Sequence, residues 1–189
     1  LEIRLAHGPD DSRRKTVLSV TMRTPGNDFE LGTGLLLAEG IIQSGDDVRF
    51  VRHCTGEDHG ENIVIIDLAP EVEFQPDELI RSFVSHAGCG VCGKQSIEQL
   101  KIKFDPPVKT PMETVSADVL HQLPRILRES QSGFTHTGGL HAAALFSFEA
   151  ELLATREDVG RHNALDKLLG EMLNENRIPA QNAIILLSG

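Results

Sequence analysis

Residues 15–23, KTVLSVTMR, alternate apolar and polar positions and are rich in Val and Thr, a period-two pattern that predicts a strand. The turn signal TPGND follows, with Asn27 or Asp28 placed to cap a helix. Its apolar positions are Phe29, Leu31, Leu35, Leu36 and Ala38, and Gly40 marks its end. Segments 47–54 and 62–69 read as further strands, and 76–83, PDELIRSF, as a short helix. The first part of the chain is thus a small mixed unit of strands and helix.

Between 103 and 116 the sequence KFDPPVKTPMETVS carries Pro106, Pro107 and Pro111, the composition of an interdomain linker. We place a boundary near Pro106, giving units 1–105 and 106–189. After it, Ser116 caps a predicted helix with Val119, Leu120, Leu123, Ile126 and Leu127 on one side, which Pro124 should kink or restart. A Gly-rich turn at 137–139 precedes two apolar runs around a predicted hairpin. Then Ala164, Leu165, Leu168, Leu169, Met172 and Leu173 recur at three and four residue spacing, the clearest amphipathic helix in the chain. The final AIILLSG reads as a strand whose carboxyl end would deliver a functional loop, so the second unit is expected to be interrupted at Gly189. The fold class is α+β.

Composition narrows the function. With 189 residues, 40% hydrophobic and 24% charged, the chain buries one good core or two small ones, which excludes disorder. Eighteen Lys and Arg against 28 Asp and Glu leave a net charge of −10, which argues against a nucleic-acid or anionic-membrane surface. An anionic ligand must then be held by a local basic spot. All the aromatics are Phe, so base-stacking platforms have little material. The opening residues show no signal peptide, and the apolar run 31–42 is broken by Gly32, Gly34, Glu39 and Gly40 and is too short to span a bilayer. A cytoplasmic protein is expected.

The cysteines are Cys54, Cys89 and Cys92, an odd set that suits a reducing compartment better than a disulfide scaffold. Cys89 and Cys92 form a C-x-x-C among Gly88, Gly90 and Gly93, a loop that has three readings. As half a zinc site it needs His86, or His53 with Cys54, to complete four ligands. As a thioredoxin-like couple it should follow a strand and open a longer helix than QSIEQLK. As a sulfur carrier, its first cysteine attacks a sulfur donor and holds a persulfide. A zinc nucleobase deaminase is disfavoured, because His141-Ala142-Ala143 and His162-Asn163-Ala164 both lack the catalytic Glu and the C-x-x-C comes too early. Two other segments could contact a ligand: the turn Thr137-Gly138-Gly139-Leu140-His141, and Glu157-Asp158-Val159-Gly160-Arg161-His162-Asn163, where Arg161, His162 and the free first-turn amides could converge on an anion.

Four blocks, VTMRTPGNDFELGTGLLLAEGII (20–42), SHAGCGVCGK (85–94), TGGLHAAALF (137–146) and REDVGRHNALDKLLG (156–170), together resemble the signature segments of the FdhD family of formate dehydrogenase accessory sulfurtransferases. The resemblance implies a sulfur shuttle in the cytoplasm. A cysteine desulfurase would load the C-x-x-C loop, and sulfur would pass to the molybdenum or tungsten of a bis-molybdopterin guanine dinucleotide cofactor destined for formate dehydrogenase. By position, Cys89 becomes the persulfide-bearing nucleophile, Cys92 a supporting thiol and Cys54 a bystander. The resemblance further implies a homodimer and a small amino-terminal α/β domain. A cytidine-deaminase-like three-layer α/β/α domain without zinc would follow, truncated here at its carboxyl end. Thr137, Gly138, Gly139, His141, Asp158, Gly160, Arg161 and His162 are the expected cofactor contacts, with a guanine nucleotide as surrogate ligand and no metal of the protein's own. A non-catalytic cofactor chaperone and a thioredoxin-like oxidoreductase are the alternatives.

Overall fold

The structure, a computed structural model, describes residues 1–54, 60–75 and 114–188. The helix expected at 76–83, the C-x-x-C loop with Cys89 and Cys92, and the boundary at Pro106 lie outside the described residues.

Strand β1 (Glu2–His7) was not legible as an element, yet its alternation buries Ile3 and Leu5 completely. It pairs antiparallel with β2 (Arg14–Val20). That strand stops three residues before the predicted end: the Thr21 backbone still pairs with Leu1, and from Met22 the chain turns its hydrogen bonds toward the second half of the molecule. Strands β3 (Val48–His53) and β4 (Ile63–Leu68) fall where expected. The first sheet has the order β2-β1-β4-β3, with β1 and β4 parallel and the other pairs antiparallel. All six residues of β4 are buried. Its one charge, Asp67, is matched by Arg13, which also donates to the carbonyls of Ala6, Gly8 and Leu68.

Helix α1 (Asp28–Ala38) begins after Asn27, which takes a left-handed conformation and makes no side-chain cap. Arg23 instead grips Asp28 in a bidentate pair at 3.0 and 2.9 Å. At the other end Gly40, at φ 71°, donates to Leu37 and Ile41 donates to Leu36, a Schellman stop sealed by the Leu36–Ile41 contact. Gly32 and Gly34 lie on nearly opposite sides of α1, since two residues turn a helix about 200°. Gly32 lets α1 approach Ile66 of the first sheet, and Gly34 lets it approach the second half.

In that half, α2 (Ala117–Ser130) starts at Ser116, whose Oγ accepts the Val119 N–H at 3.3 Å. It runs through Pro124 without restarting, contrary to expectation. Pro124 lies on the exposed side, where solvent can satisfy the carbonyl that loses its partner. A short helix α3 (Ser132–Thr137), which the sequence did not announce, leads to β5 (His141–Ser147). Strand β6 (Leu152–Asp158) completes the expected hairpin, α4 (Arg161–Asn174) is the expected amphipathic helix, and β7 (Ala183–Leu187) is the last strand. The second sheet is antiparallel with order β6-β5-β7. One face, through Ala143, Leu145 and Ala154, packs on Ala164, Leu168 and Met172 of α4. The other, through Ala142, Ala144 and Phe146, packs on Leu123 and Leu127 of α2. Three consecutive alanines at the centre of β5 keep both helices close.

The halves meet along α1 and α4. A Cβ on Gly34 would stand 1.7 Å from the Asp166 carbonyl oxygen, and one on Gly170 would stand 2.0 Å from that of Glu30, so the two backbones touch. Arg156 of β6 clamps the seam, bidentate to Glu30 at 2.6 and 3.0 Å and paired with Glu171 at 2.9 Å. Among the described residues no helix is long and apolar enough to cross a membrane.

Candidate functional site

Because β6 and β7 both run antiparallel to β5, their carboxyl ends arrive where β5 begins. His141 lies opposite Asp158 in the ladder, and Ser188, just past β7, exchanges hydrogen bonds with Ala142: its N–H donates to the Ala142 carbonyl at 2.9 Å and its Oγ accepts the Ala142 N–H at 2.7 Å. The eight residues expected to contact a ligand are thereby carried on segments at one end of the second sheet.

Asp158 is completely buried. Its Oδ1 accepts from the Gly160 N–H at 2.9 Å and Asn163 Nδ2 at 3.1 Å, and its Oδ2 from the Thr24 N–H at 3.0 Å and Lys167 Nζ at 2.8 Å. Lys167, also buried, directs its remaining donors at the carbonyls of Thr24, at 2.8 Å, and Glu157, at 3.4 Å. Thr24 Oγ1 accepts the Val159 N–H at 3.0 Å, and Asn163 Nδ2 donates to the Met22 carbonyl at 2.7 Å. The Asp158 carboxylate is therefore an internal anchor that fixes the start of α4. Gly160 is the residue from which α4 departs, and Arg161 and His162, the first two helical residues, are exposed. Their side chains make no hydrogen bond among the described residues, and first-turn amides of a helix have no intrahelical acceptor, so this end presents donors and positive charge outward.

Beside it, the Gly138-Gly139 turn, His141 and Ser188 form part of the wall of a pocket of about 350 Å³, which α2 and α3 close. Gly138 ends α3 at φ 68°, a conformation that favours glycine. Thr137, the last residue of α3, is exposed, and its Oγ1 donates to the Gly133 carbonyl at 2.8 Å. Glu157 holds the other end of α3 by accepting from the Gly133 and Phe134 N–H groups, both at 2.8 Å. His141 Nδ1 sits 3.1 Å from the Ser188 carbonyl oxygen.

The FdhD/NarQ family profile matches residues 13–189. The chain belongs to this family. It is 44% identical over 178 residues to the sulfur carrier protein FdhD of Mycolicibacterium paratuberculosis, covering 91% of this chain and 65% of that protein. The sulfur carrier protein FdhD of Sulfurisphaera tokodaii is 42% identical over 189 residues, covering all of this chain and 66% of the relative. The chain thus spans just under two thirds of the length of these curated relatives. A crystal structure of a candidate formate dehydrogenase accessory protein from Desulfotalea psychrophila superposes with a TM-score of 0.62 at 20% identity, covering all of this chain and 65% of that one, which supports the fold.

In this FdhD/NarQ family member the sequence missed Thr24 and Lys167, which with Asn163 set the helix start. Lys167 was hidden because a lysine in an amphipathic helix reads as solvated, and its carboxylate partner lies outside the helix. Asp166, next to it, is also buried; burial, then the nearby charges of Glu39 and Asp158, push its carboxyl up to about 7. Of the thiols, only Cys54 is described, half-buried against Ala6, Ile63 and Ile65. His53, its neighbour, tilts against the Phe29 ring at 4.8 Å, and among the described residues no group of three or more His, Cys, Asp or Glu could hold a metal ion.

Proposed function

We propose that this chain carries sulfur for formate dehydrogenase maturation, with a pterin guanine dinucleotide cofactor of molybdenum or tungsten as the acceptor. The observation that supports it best is that, on a chain of net charge −10, a Gly-Gly-walled pocket and an exposed, donor-rich helix start at Arg161 and His162 lie at the same end of the second sheet. That combination suits a small polyanion carrying a ring system, and not a nucleic-acid polymer. The names of the relatives, sulfur carrier proteins, and of the structural neighbour, an accessory protein of formate dehydrogenase, point the same way.

In this reading the Cys89 thiolate attacks the outer sulfur of a persulfide on a cysteine desulfurase. The donor's S–S bond breaks, its thiolate leaves, and Cys89 becomes the persulfide, with no net oxidation or reduction. Lys94 and the amides that follow it favour the thiolate. Cys92 supports the exchange; the Cys89 S–S bond would then break, Cys89 leaving as its thiolate, and the outer sulfur would go to the cofactor's metal, the acceptor, which supplies the two electrons that take it to the sulfide level. The protein works as a homodimer in the cytoplasm, with the desulfurase and formate dehydrogenase as partners.

The test is intact-mass spectrometry after incubation with a cysteine desulfurase and cysteine. One added sulfur, mapped to the 85–94 peptide and lost in Cys89→Ala, is the expected result. An unmodified protein, or an adduct mainly on Cys54, would overturn the assignment; nucleotide binding without any adduct would make the protein a cofactor chaperone.

A further inference from the structure

The one run of three consecutive cations in this chain of net charge −10 is Arg13-Arg14-Lys15, at the start of β2, far in the fold from the helix start described above. Arg13 is engaged by Asp67 and three carbonyls. Arg14 is exposed and, among the described residues, makes no hydrogen bond or ion pair. In the β1–β2 ladder Arg14 lies opposite His7 and Thr16 opposite Leu5, so Arg14, His7 and Thr16 stand on one side of the sheet, at the mouth of the hairpin. His7 is 6% exposed, with the Phe74 ring edge-on at 4.9 Å, and its Nε2 is 3.0 Å from Thr16 Oγ1. Burial first, then the positive charges of Arg13 and Arg14, hold the His7 pKa below its ordinary 6.5. The nearby carboxylates lie elsewhere: Asp67 shares the opposite side of the sheet with Ala6, and Glu73, next to Phe74 in the chain, is exposed.

We propose that Arg14, Thr16 and the buried His7 form a binding site for a small tetrahedral oxyanion, a sulfate or phosphate group, at the rim of the first sheet. The guanidinium supplies charge and paired N–H donors, the match to such an ion. Thr16 supplies the second contact, and His7 decides when. A hydroxyl has one hydrogen. While His7 Nε2 is an acceptor it takes that hydrogen, and Thr16 turns only lone pairs outward. Once Nε2 carries a proton it donates to Oγ1, and the hydroxyl is freed to donate to the anion beside Arg14. The anion in turn offsets the two guanidinium charges that oppose protonation of His7. Binding therefore takes up a proton from solution, and affinity rises as the pH falls.

Sulfate is the probe, because it stays a dianion across the range used. The purified protein is titrated at constant ionic strength, with chloride as the balancing ion, and the His7 ring signals and Thr16 amide are followed by NMR, which keeps any anion at the start of α4 out of the reading. The expected result is saturable binding that tightens about 3- to 10-fold from pH 7.5 to pH 5.5, with the His7 titration moved to higher pH. Arg14→Gln should bind at least about 5-fold more weakly, and Arg161→Ala should leave the His7 response unchanged. Thr16→Val should lose the pH dependence, and Thr16→Ser should keep it. A His7 signal that sulfate moves no more than chloride does, an affinity independent of pH, full affinity in Arg14→Gln, or a pH dependence that survives in Thr16→Val would each overturn the proposal. If Thr16→Val does not fold, Arg14→Gln and the wild-type pH dependence decide it. Methyl phosphate, titrated the same way at pH 7.5, separates the two sources of the group: affinity equal to that of sulfate assigns the site to a phosphate monoester, and affinity about tenfold weaker assigns it to the free ion, either result upholding the site.

Discussion

Asp166→Asn should stabilise the protein at alkaline pH and do progressively less as the pH falls. Asp166 is 9% exposed, accepts no hydrogen bond among the described residues, and has its pKa raised from 3.8 to about 7 by burial and by Glu39 and Asp158. Below about pH 3 the carboxyl is protonated in folded and unfolded chains alike, and the site adds no pH dependence. Between there and pH 7 the folded chain keeps a proton that the unfolded chain has lost, so stability falls as pH rises; above 7 the full penalty is in force. A shift of about three units corresponds to a ceiling of about 4 kcal/mol, and linkage places about 2 to 3 kcal/mol of it between pH 5 and pH 8. Asn has nearly the same shape and no charge. Urea unfolding of wild type and variant at both pH values isolates the site, because every other titrating group is common to the two proteins. The variant's advantage should grow by at least about 1 kcal/mol from pH 5 to pH 8. An advantage that is the same at both values, or absent at pH 8, would show that Asp166 is ionised without penalty and that the seam between α1 and α4 is wetter than its burial indicates.

Gly170→Ala tests the seam sterically: the new methyl must move from 2.0 Å to at least 3.4 Å from the Glu30 carbonyl oxygen, a shift of 1.4 Å between two helix backbones. Overpacking of that kind costs about 1–3 kcal/mol or more and opposes the ~1 kcal/mol gain in helix propensity, so chemical denaturation should show a net loss; a stabilised variant would mean the helices are farther apart. Arg161→Ala should leave stability within about 0.5 kcal/mol, since the side chain is exposed and unpaired among the described residues, while pyrophosphate binding weakens and becomes less sensitive to salt. Unchanged anion affinity would remove the helix start from the site.

The elements that the sequence announced are those whose partners are close in the chain or whose pattern is strong. The β5–β6 hairpin, the stripe of α4 and the Gly40 stop of α1 were all visible. Strand β1 was not, although it forms a hairpin with β2: Glu2–His7 is only six residues long, and its other partner, β4, joins it in parallel, a pairing that no local turn signals. Pro124 misled because propensity ignores which side of a helix faces water. The candidate contacts were legible as residue types, but their division of roles was not. Asp158 looked like a ligand group and is fully engaged internally. Burial and pairing decide that role, and both depend on contacts between 21–24 and 158–167 that leave no periodic trace in the sequence.

Those cross-chain contacts also set an order of events during synthesis. Thr21 to Thr24 leave the ribosome more than a hundred residues before the helix they secure; Thr21 and Arg23 can already hold Leu1 and Asp28, but until α4 follows Thr24 lacks the partners it has in the fold. Conversely, α4 made without the first segment would bury Lys167 and Asp158 with two of their shared acceptors and donors missing. The start of α4 is consequently the last part of this region to mature. A chain made only as far as β6 therefore lacks the ordered Arg161–His162 helix start, and that surface is displayed only once both halves have folded together.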